Sequence, residues 1–228
     1  MNKIFVPTKG SKDWKSLLAK PDKHWKTGYS AKALAYCWEE ANGFPECVKR
    51  VFRNSGIDLF QNIELLLAFP EYKVPLQGGR RASQNDVFVL ARGNDQLVSI
   101  MVEGKVSESF DKTIAEWRED ASGGKPTRLK FLCGELQLQQ DQVDFVRYQL
   151  LHRTASAIIE AKRFNAENAL MLVHSFSQCD EWFDDYKKFA ALFGLDEITP
   201  DSLAYAKNID GIDLYLAWVR GDMRYLEK

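Results

Sequence analysis

The fold is predicted mainly from one stretch of the sequence, SQNDVFVLARGNDQLVSIMVEGKV, residues 83–106. Two apolar runs flank residues 93–95, Gly-Asn-Asp, which are typical of the tight turn in a β-hairpin. Three charged residues interrupt these runs: Asp86 in the first, Glu103 and Lys105 in the second. Because side chains alternate along a strand, Glu103 and Lys105 share one face of the hairpin.

The register of the hairpin predicts that Asp86 and Glu103 are neighbours. If residues 93–96 form a four-residue loop, positions whose numbers sum to 189 are paired, and Asp86 faces Glu103. A two-residue loop at residues 93–94 makes Glu103 the diagonal neighbour on the same face. Either register leaves the two side chains roughly 5–8 Å apart. A slip by one residue would place them on opposite faces.

Two carboxylates this close on an apolar sheet repel each other, so they need a proton or a cation in order to coexist. Lys105 offsets one charge, and a hard divalent cation such as Mg²⁺ would offset the rest through oxygen ligands. The alternative is a structural salt bridge between Lys105 and one carboxylate, with the other carboxylate at a solvated strand end.

Asp86, followed after sixteen residues by Glu103-Gly104-Lys105, resembles the signature of the PD-(D/E)XK nuclease superfamily. In that restriction-endonuclease-like superfamily an Asp on one strand precedes Glu-x-Lys on the next. Asn85 stands where a Pro is expected. The chain as a whole also looks like a bacterial family of uncharacterised proteins.

The resemblance implies an α/β fold with a restriction-endonuclease-like core of order αβββαβ, a mixed central sheet flanked by helices, and an N-terminal helical extension. It implies Mg²⁺, with Mn²⁺ as a possible substitute, bound by Asp86, Glu103, Glu64 and the Gly104 carbonyl. DNA, or RNA, would be the substrate, and an enzyme that cuts both strands could be a homodimer. Lys105 would hold or deprotonate the attacking water, or stabilise the developing charge.

Glu64 and two arginines are candidates outside the hairpin. Asp58 can cap a helix that ends at Phe69 and carries Glu64, which is either the metal-reaching acid of the superfamily or an exposed helix acid. Arg80 and Arg81 follow two glycines, so they are either phosphate contacts or part of a solvated turn.

A long helix predicted over residues 144–164 supplies the remaining candidates. Its polar stripe carries Gln149, His152 and Arg153, which could line the cleft, with Arg153 contacting phosphate. A single His on a helix is more often a packing residue than a catalyst. Further helices are expected over 31–42, 45–54, 110–119, 129–138 and 181–193, and strands over 72–76, 169–174 and 212–219.

The 228 residues suggest one compact domain in two parts. Residues 1–56 form an arm and a helical layer on a core of residues 57–228, which has an insertion at about residues 107–140 and a helix-strand extension at its C-terminal end. The basic, Trp-bearing segment 1–29 could stack on bases, but we favour an arm that packs on the core.

Composition restricts the environment and the partners. The four cysteines form no CxxC motif, which favours reduced thiols in a cytoplasmic protein. No apolar run reaches the ~20 residues of a membrane span. The net charge of −1 provides no general attraction for nucleic acid, which fits a rival interpretation, a non-catalytic nuclease-fold protein that binds DNA or a protein partner. A third interpretation, a hydrolase or transferase of a small phosphate, requires a deep pocket.

Overall fold

A six-stranded mixed sheet forms the centre of an α/β fold in the computed structural model, which describes residues 4, 9–119 and 123–228. The first three strands are antiparallel, the third, fourth and sixth are parallel, and the fifth is antiparallel to the sixth. The order across the sheet is β1-β2-β3-β4-β6-β5. The strands are β1 (Glu64–Val74), β2 (Ser83–Gly93), β3 (Gln96–Lys105), β4 (Asn168–Ser175), β5 (Ser202–Ile209) and β6 (Ile212–Arg220).

Helices cover both faces of this sheet. They are α1 (Pro21–His24), α2 (Ser30–Ala41), α3 (Glu46–Asn54), α4 (Asp58–Gln61), α5 (Ile114–Arg118), α6 (Lys125–Leu136), α7 (Tyr148–Phe164) and α8 (Phe183–Ala191). Three 3₁₀ turns span Ser11–Leu17, Gln140–Gln142 and Met223–Glu227. The coarse prediction of an α/β protein with a mixed, helix-flanked sheet is therefore confirmed.

Two hydrophobic cores lie on the two faces of the sheet. Met101 of β3 packs into the core formed with α6, α7 and α8, whereas Val98, Ile100 and Val102 pack into the core formed with α2 and α3. The alternation predicted for the second strand of the hairpin is thus confirmed. Trp14 is buried in the second core, which supports a packed arm for the described part of residues 1–29.

The hairpin has the predicted register but a shorter loop. Val87 pairs with Val102 and Gly93 pairs with Gln96, so paired positions sum to 189. The loop consists of Asn94 and Asp95 alone, with φ angles of 47° and 62°. Positive φ at both central residues is what a two-residue hairpin turn requires, because its twist matches that of the strands.

The helix predicted from Asp58 to Phe69 is wrong. The helix ends at Gln61, and Glu64 begins β1, which pairs along its whole length with β2. A short apolar run fits the period of a helix as well as that of a strand. Here the run is a strand because it pairs with β2 of the hairpin. Consequently the first strand starts at Glu64 and not at Tyr72.

Smaller differences concern helix ends and one strand. Ser30 is the first residue of α2 and not its cap, a place that Tyr29 takes. The longest helix begins at Tyr148, four residues later than expected. Strand β5 was not predicted, because its half-exposed residues at the sheet edge alternate too weakly to give a period.

Candidate functional site

A cleft of about 570 Å³ opens at the end of the β2–β3 hairpin away from its turn. Three adjacent strands meet there, and each brings one acid to the cleft. Pro70↔Val87 and Tyr72↔Asn85 flank Glu71 and Asp86 on either side, so these acids stand opposite each other. The acids are Glu71 of β1, Asp86 of β2 and Glu103 of β3, and they form one row across the sheet, here called the acidic row.

Glu103 and Lys105 form a buried ion pair, with side chains only 2% and 3% exposed. The Lys105 ammonium donates to Glu103 Oε1 at 2.6 Å and to Gln149 Oε1 at 3.0 Å. The Gln149 amide in turn donates to Glu103 Oε1. The structure thus brings Glu103, Lys105 and Gln149 into contact, whereas their catalytic roles stay predictions.

Arg153 holds the other oxygen of Glu103. Its Nε donates to Glu103 Oε2 at 2.6 Å, and a terminal nitrogen donates to Ser83 Oγ at 3.1 Å. Burial would raise the pKa of Glu103, but Arg153 and Lys105 hold that pKa below its ordinary value. Because the guanidinium is buried and occupied by protein partners, we assign Arg153 to positioning Glu103 and not to phosphate contact.

Asp86 is less well compensated. Its Oδ2 accepts a hydrogen bond of 2.7 Å from the backbone N–H of Gly104. Burial first, then the charges of Glu103 and Glu71, raise the pKa of Asp86 well above its ordinary value. This carboxylate therefore favours a proton or a cation next to it.

Glu71 is the site residue that the sequence did not reveal. It has a left-handed backbone, φ 53°, in the middle of a strand, and such outliers cluster at functional sites. Gln84 donates to its Oε2 at 2.6 Å. Burial raises the pKa of Glu71 to about 7, and the charge of Glu103 acts in the same direction. The helix predicted over residues 58–69 contains Glu64 but stops before Glu71. The sequence pattern therefore pointed to Glu64 and not to Glu71.

Glu64 lies at the other end of the sheet from the acidic row. It pairs in register with Arg92 and is half-exposed, with an ion pair of 3.5 Å to that arginine. Glu71 lies seven residue steps along β1 from Glu64, about 23 Å at the usual rise per residue. Glu64 cannot reach a cation held by Asp86, so its assignment as a metal ligand is wrong.

Arg80 and Arg81 line a second groove of about 500 Å³, here called the basic groove. Both are exposed, and His152 lies on the wall that separates this groove from the acidic row. His152 Nδ1 lies 2.8 Å from Ser83 Oγ, and burial lowers its pKa well below the ordinary value. The groove is also lined by Lys112, Lys125 and Arg128, and by the stacked rings of Trp117 and Tyr148, whose centroids are 4.4 Å apart.

The donor chemistry of the acidic row fits Mg²⁺. Asp86 and Glu71 offer hard oxygen ligands, and burial followed by the neighbouring acids raises their pKa values, an effect that a cation beside them would oppose. Magnesium commonly takes one or two carboxylates and completes its shell with water and phosphate. Glu103 fits less well, because three donors already occupy its oxygens.

Within the described ranges, only Cys37, Cys47 and His174 bring three candidate ligand atoms within 4.8 Å of one another.

The chain belongs to a family described as Domain of unknown function (DUF6946), whose profile matches residues 7–223. No curated protein and no solved structure matches the sequence or the fold. In the ranges that the structure describes, no helix is both long and apolar enough to cross a membrane. The DNA substrate, the homodimer and the cytoplasmic location stay predictions.

Proposed function

We propose that this protein is a Mg²⁺-dependent nuclease of the PD-(D/E)XK superfamily that hydrolyses phosphodiester bonds in DNA or RNA. The observation that carries the proposal is the meeting of Asp86 with Glu103 and Lys105 on adjacent strands in one cleft. The order α4, β1, β2, β3, α7, β4 supports a restriction-endonuclease-like core of type αβββαβ. Helices α5 and α6 would then be an insertion in this core.

The acidic row and its neighbours have separate roles in the proposed reaction. Asp86 and Glu71 would hold the cation, which when bound polarises the phosphate and lowers the pKa of a bound water. Lys105 lines the cleft, and its ammonium, which donates to Glu103 and Gln149, has a third N–H that could donate to a phosphate oxygen as negative charge develops. Gln149 and Arg153 keep Glu103, and through it Lys105, in place.

The basic groove suits the sugar–phosphate backbone of the same substrate. The groove and the cleft share Asp111 in their linings, so a strand lying along the groove would reach the cleft. Arg80 and Arg81 would contact phosphates, and the half-buried Trp117, which lines the same groove, could contact a base. A homodimer of this chain would present two such clefts to the two strands of a duplex.

One observation favours the second candidate, a non-catalytic protein that binds nucleic acid or a protein partner. The Glu103–Lys105 pair is nearly fully buried and has all its charges satisfied by Gln149 and Arg153. A network of this kind can be retained for structure alone. The two candidates differ in whether the cleft hydrolyses a bound strand.

The deciding experiment incubates plasmid, linear duplex and single-stranded RNA with the protein and Mg²⁺ or Mn²⁺. Asp86→Asn and Lys105→Ala are expected to lose about 10²-fold or more in cleavage rate, as removal of a charge-stabilising group does elsewhere. Glu64→Gln is the matched control, since it removes an acid of the same sheet outside the cleft. Equal cleavage by wild type and Lys105→Ala would indicate contamination, and binding without cleavage by wild type would favour the second candidate.

A further inference from the structure

A second cluster of reactive side chains lies on the opposite face of the sheet from the acidic row. Cys37 of α2, Cys47 in the first turn of α3 and His174 of β4 bring their sulfur and nitrogen atoms within 4.8 Å of one another. Cys47 Sγ lies 3.3 Å from His174 Nε2. None of these residues takes part in the proposed nuclease.

The surroundings of His174 determine which ring nitrogen carries its proton. Trp38 Nε1 lies 3.2 Å from His174 Nδ1, and an indole N–H can only donate. Nδ1 must therefore be the acceptor, which leaves the proton of the neutral ring on Nε2. That proton points at Cys47 Sγ, so His174 donates to the sulfur.

This tautomer disfavours a bound metal ion. A metal on Nε2 would force the proton onto Nδ1, where it would face the N–H of Trp38 at 3.2 Å. Two N–H donors at that distance leave each other without an acceptor in a buried place, which destabilises this arrangement. The same arrangement favours a thiolate on Cys47, because a thiolate accepts from His174 without any rearrangement.

The pKa values of the two cysteine thiols are shifted in opposite directions, as in a redox pair of one nucleophilic and one resolving cysteine. Hydrogen bonding from the Cys37 thiol, and further bonds from His174 and the Val48 N–H, lower the pKa of Cys47 to about 4, although burial opposes this. The bond to Cys47, followed by burial, raises the pKa of Cys37. Cys47 is thus the nucleophile, and Cys37 retains its proton until it is needed.

A pocket of about 540 Å³ makes the pair accessible. Both cysteines line it, and Cys47 is only half-buried. The lining carries four acids and four bases, so it has no strong preference for the charge of its occupant. The four bases are Lys49, Arg50, Arg220 and Arg224, and the four acids are Glu40, Glu46, Asp201 and Asp222.

We propose that Cys37 and Cys47 form a reversible disulfide by exchange with a low-molecular-weight disulfide that enters this pocket. The Cys47 thiolate attacks one sulfur of the incoming disulfide, whose S–S bond breaks and releases one thiolate. Cys37 then loses its proton to that thiolate and attacks Cys47 Sγ, which releases the second thiolate. The cysteine pair gives up two electrons, and the incoming disulfide becomes one thiol and one thiolate.

The test uses the reduced full-length chain and glutathione disulfide as the probe. Non-reducing peptide mapping is expected to show a Cys37–Cys47 link, with Cys133 and Cys179 still alkylatable. Cys37→Ser is expected to stop at a stable glutathione adduct on Cys47, and Cys47→Ser is expected to form neither product. The double variant Cys133→Ser, Cys179→Ser is the control and should form the link as wild type does.

Alkylation rates give a second readout that does not depend on closing the disulfide. The rate at Cys47 should change by less than about twofold between pH 5 and pH 8, whereas an ordinary thiol gains about tenfold per pH unit over that range. A link through Cys133 or Cys179, or no link at all, would overturn the proposal. So would one equivalent of Zn²⁺ that survives dialysis and protects Cys37 and Cys47 from alkylation.

Discussion

Replacing Glu71 by Gln tests whether the acidic row is an uncompensated anionic site. Glutamine keeps the shape of the side chain and can still accept the hydrogen bond from Gln84. The substitution removes the carboxylate whose pKa burial and the charge of Glu103 raise to about 7. We expect Glu71→Gln to be more stable than wild type in EDTA at pH 8.

The sign of this effect follows from proton linkage. A carboxyl whose pKa is higher in the folded state binds more protons folded than unfolded, so the stability of the fold falls as pH rises between the two values. Here that window runs from 4.5, the unfolded value, to about 7. The difference corresponds to about 3 kcal/mol at most, and partial exposure of Glu71 reduces this to roughly 1–2 kcal/mol. For a domain of this size the expected gain in Tm is roughly 2–8 °C.

Thermal unfolding at pH 5 and pH 8, in EDTA and in excess Mg²⁺, measures the effect. Wild type should lose stability from pH 5 to pH 8 in EDTA and regain it with Mg²⁺, because a ligand at 100 times its Kd contributes about 2.7 kcal/mol. Glu71→Gln should show a smaller loss and a smaller gain, because only the raised pKa of Asp86 then remains in the acidic row. Glu64→Gln changes the same residue type on the same strand outside the cleft and should behave as wild type. Identical pH profiles for wild type and Glu71→Gln would refute the reasoning.

Four further variants test other parts of the fold and the site. Arg153→Met should cost about 3–5 kcal/mol in chemical denaturation, because it removes one of the two cations paired with the buried Glu103 carboxylate and leaves its Oε2 without that ion pair. A loss under about 1 kcal/mol would show that Arg153 does not anchor Glu103. Gly93→Ala should lower the free energy of unfolding by more than about 1 kcal/mol, since the added Cβ would lie 2.0 Å from a backbone oxygen. Gly134→Ala in α6 is the control: its Cβ would meet nothing within 4 Å, and the free energy of unfolding should rise by about 0.5–1 kcal/mol. The double change Arg80→Ala, Arg81→Ala should reduce the salt dependence of DNA binding by about one to two phosphate contacts, and an unchanged slope in filter binding would argue against the basic groove.

The hairpin and its three charged residues could be predicted because every signal involved is local. Turn residues, alternation and a fixed register lie within residues 83–106, and together they place Asp86 beside Glu103 and Lys105. Gln149 also lies on the side of α7 that faces the cleft, as the helix periodicity predicts. The positions of polar residues within one helical turn are enough to predict that side.

Glu71 and the cysteine pair could not be predicted in the same way. Glu71 depends on the pairing of β1 with β2, and the segment before it has apolar residues that suit a helix or a strand equally well. Cys37, Cys47 and His174 come from three elements, and more than a hundred residues separate His174 from the cysteines. Only the packing of α2 and α3 against β4 brings them together, and no spacing in the sequence reports that packing.

The charges of the site are consistent with the proposed cation, although the oxygens of Glu103 already have protein partners. Lys105 and Arg153 supply two positive charges, while Glu71, Asp86 and Glu103 supply three negative charges when all are ionised. The two bases are used on Glu103, so the remaining deficit falls on Asp86 and Glu71, whose pKa values are the ones that rise. A divalent cation held by Asp86 and Glu71 would compete with protonation of these acids and would leave the Glu103 network intact. In the proposed site, Glu103 therefore positions Lys105, and Asp86 and Glu71 hold the cation.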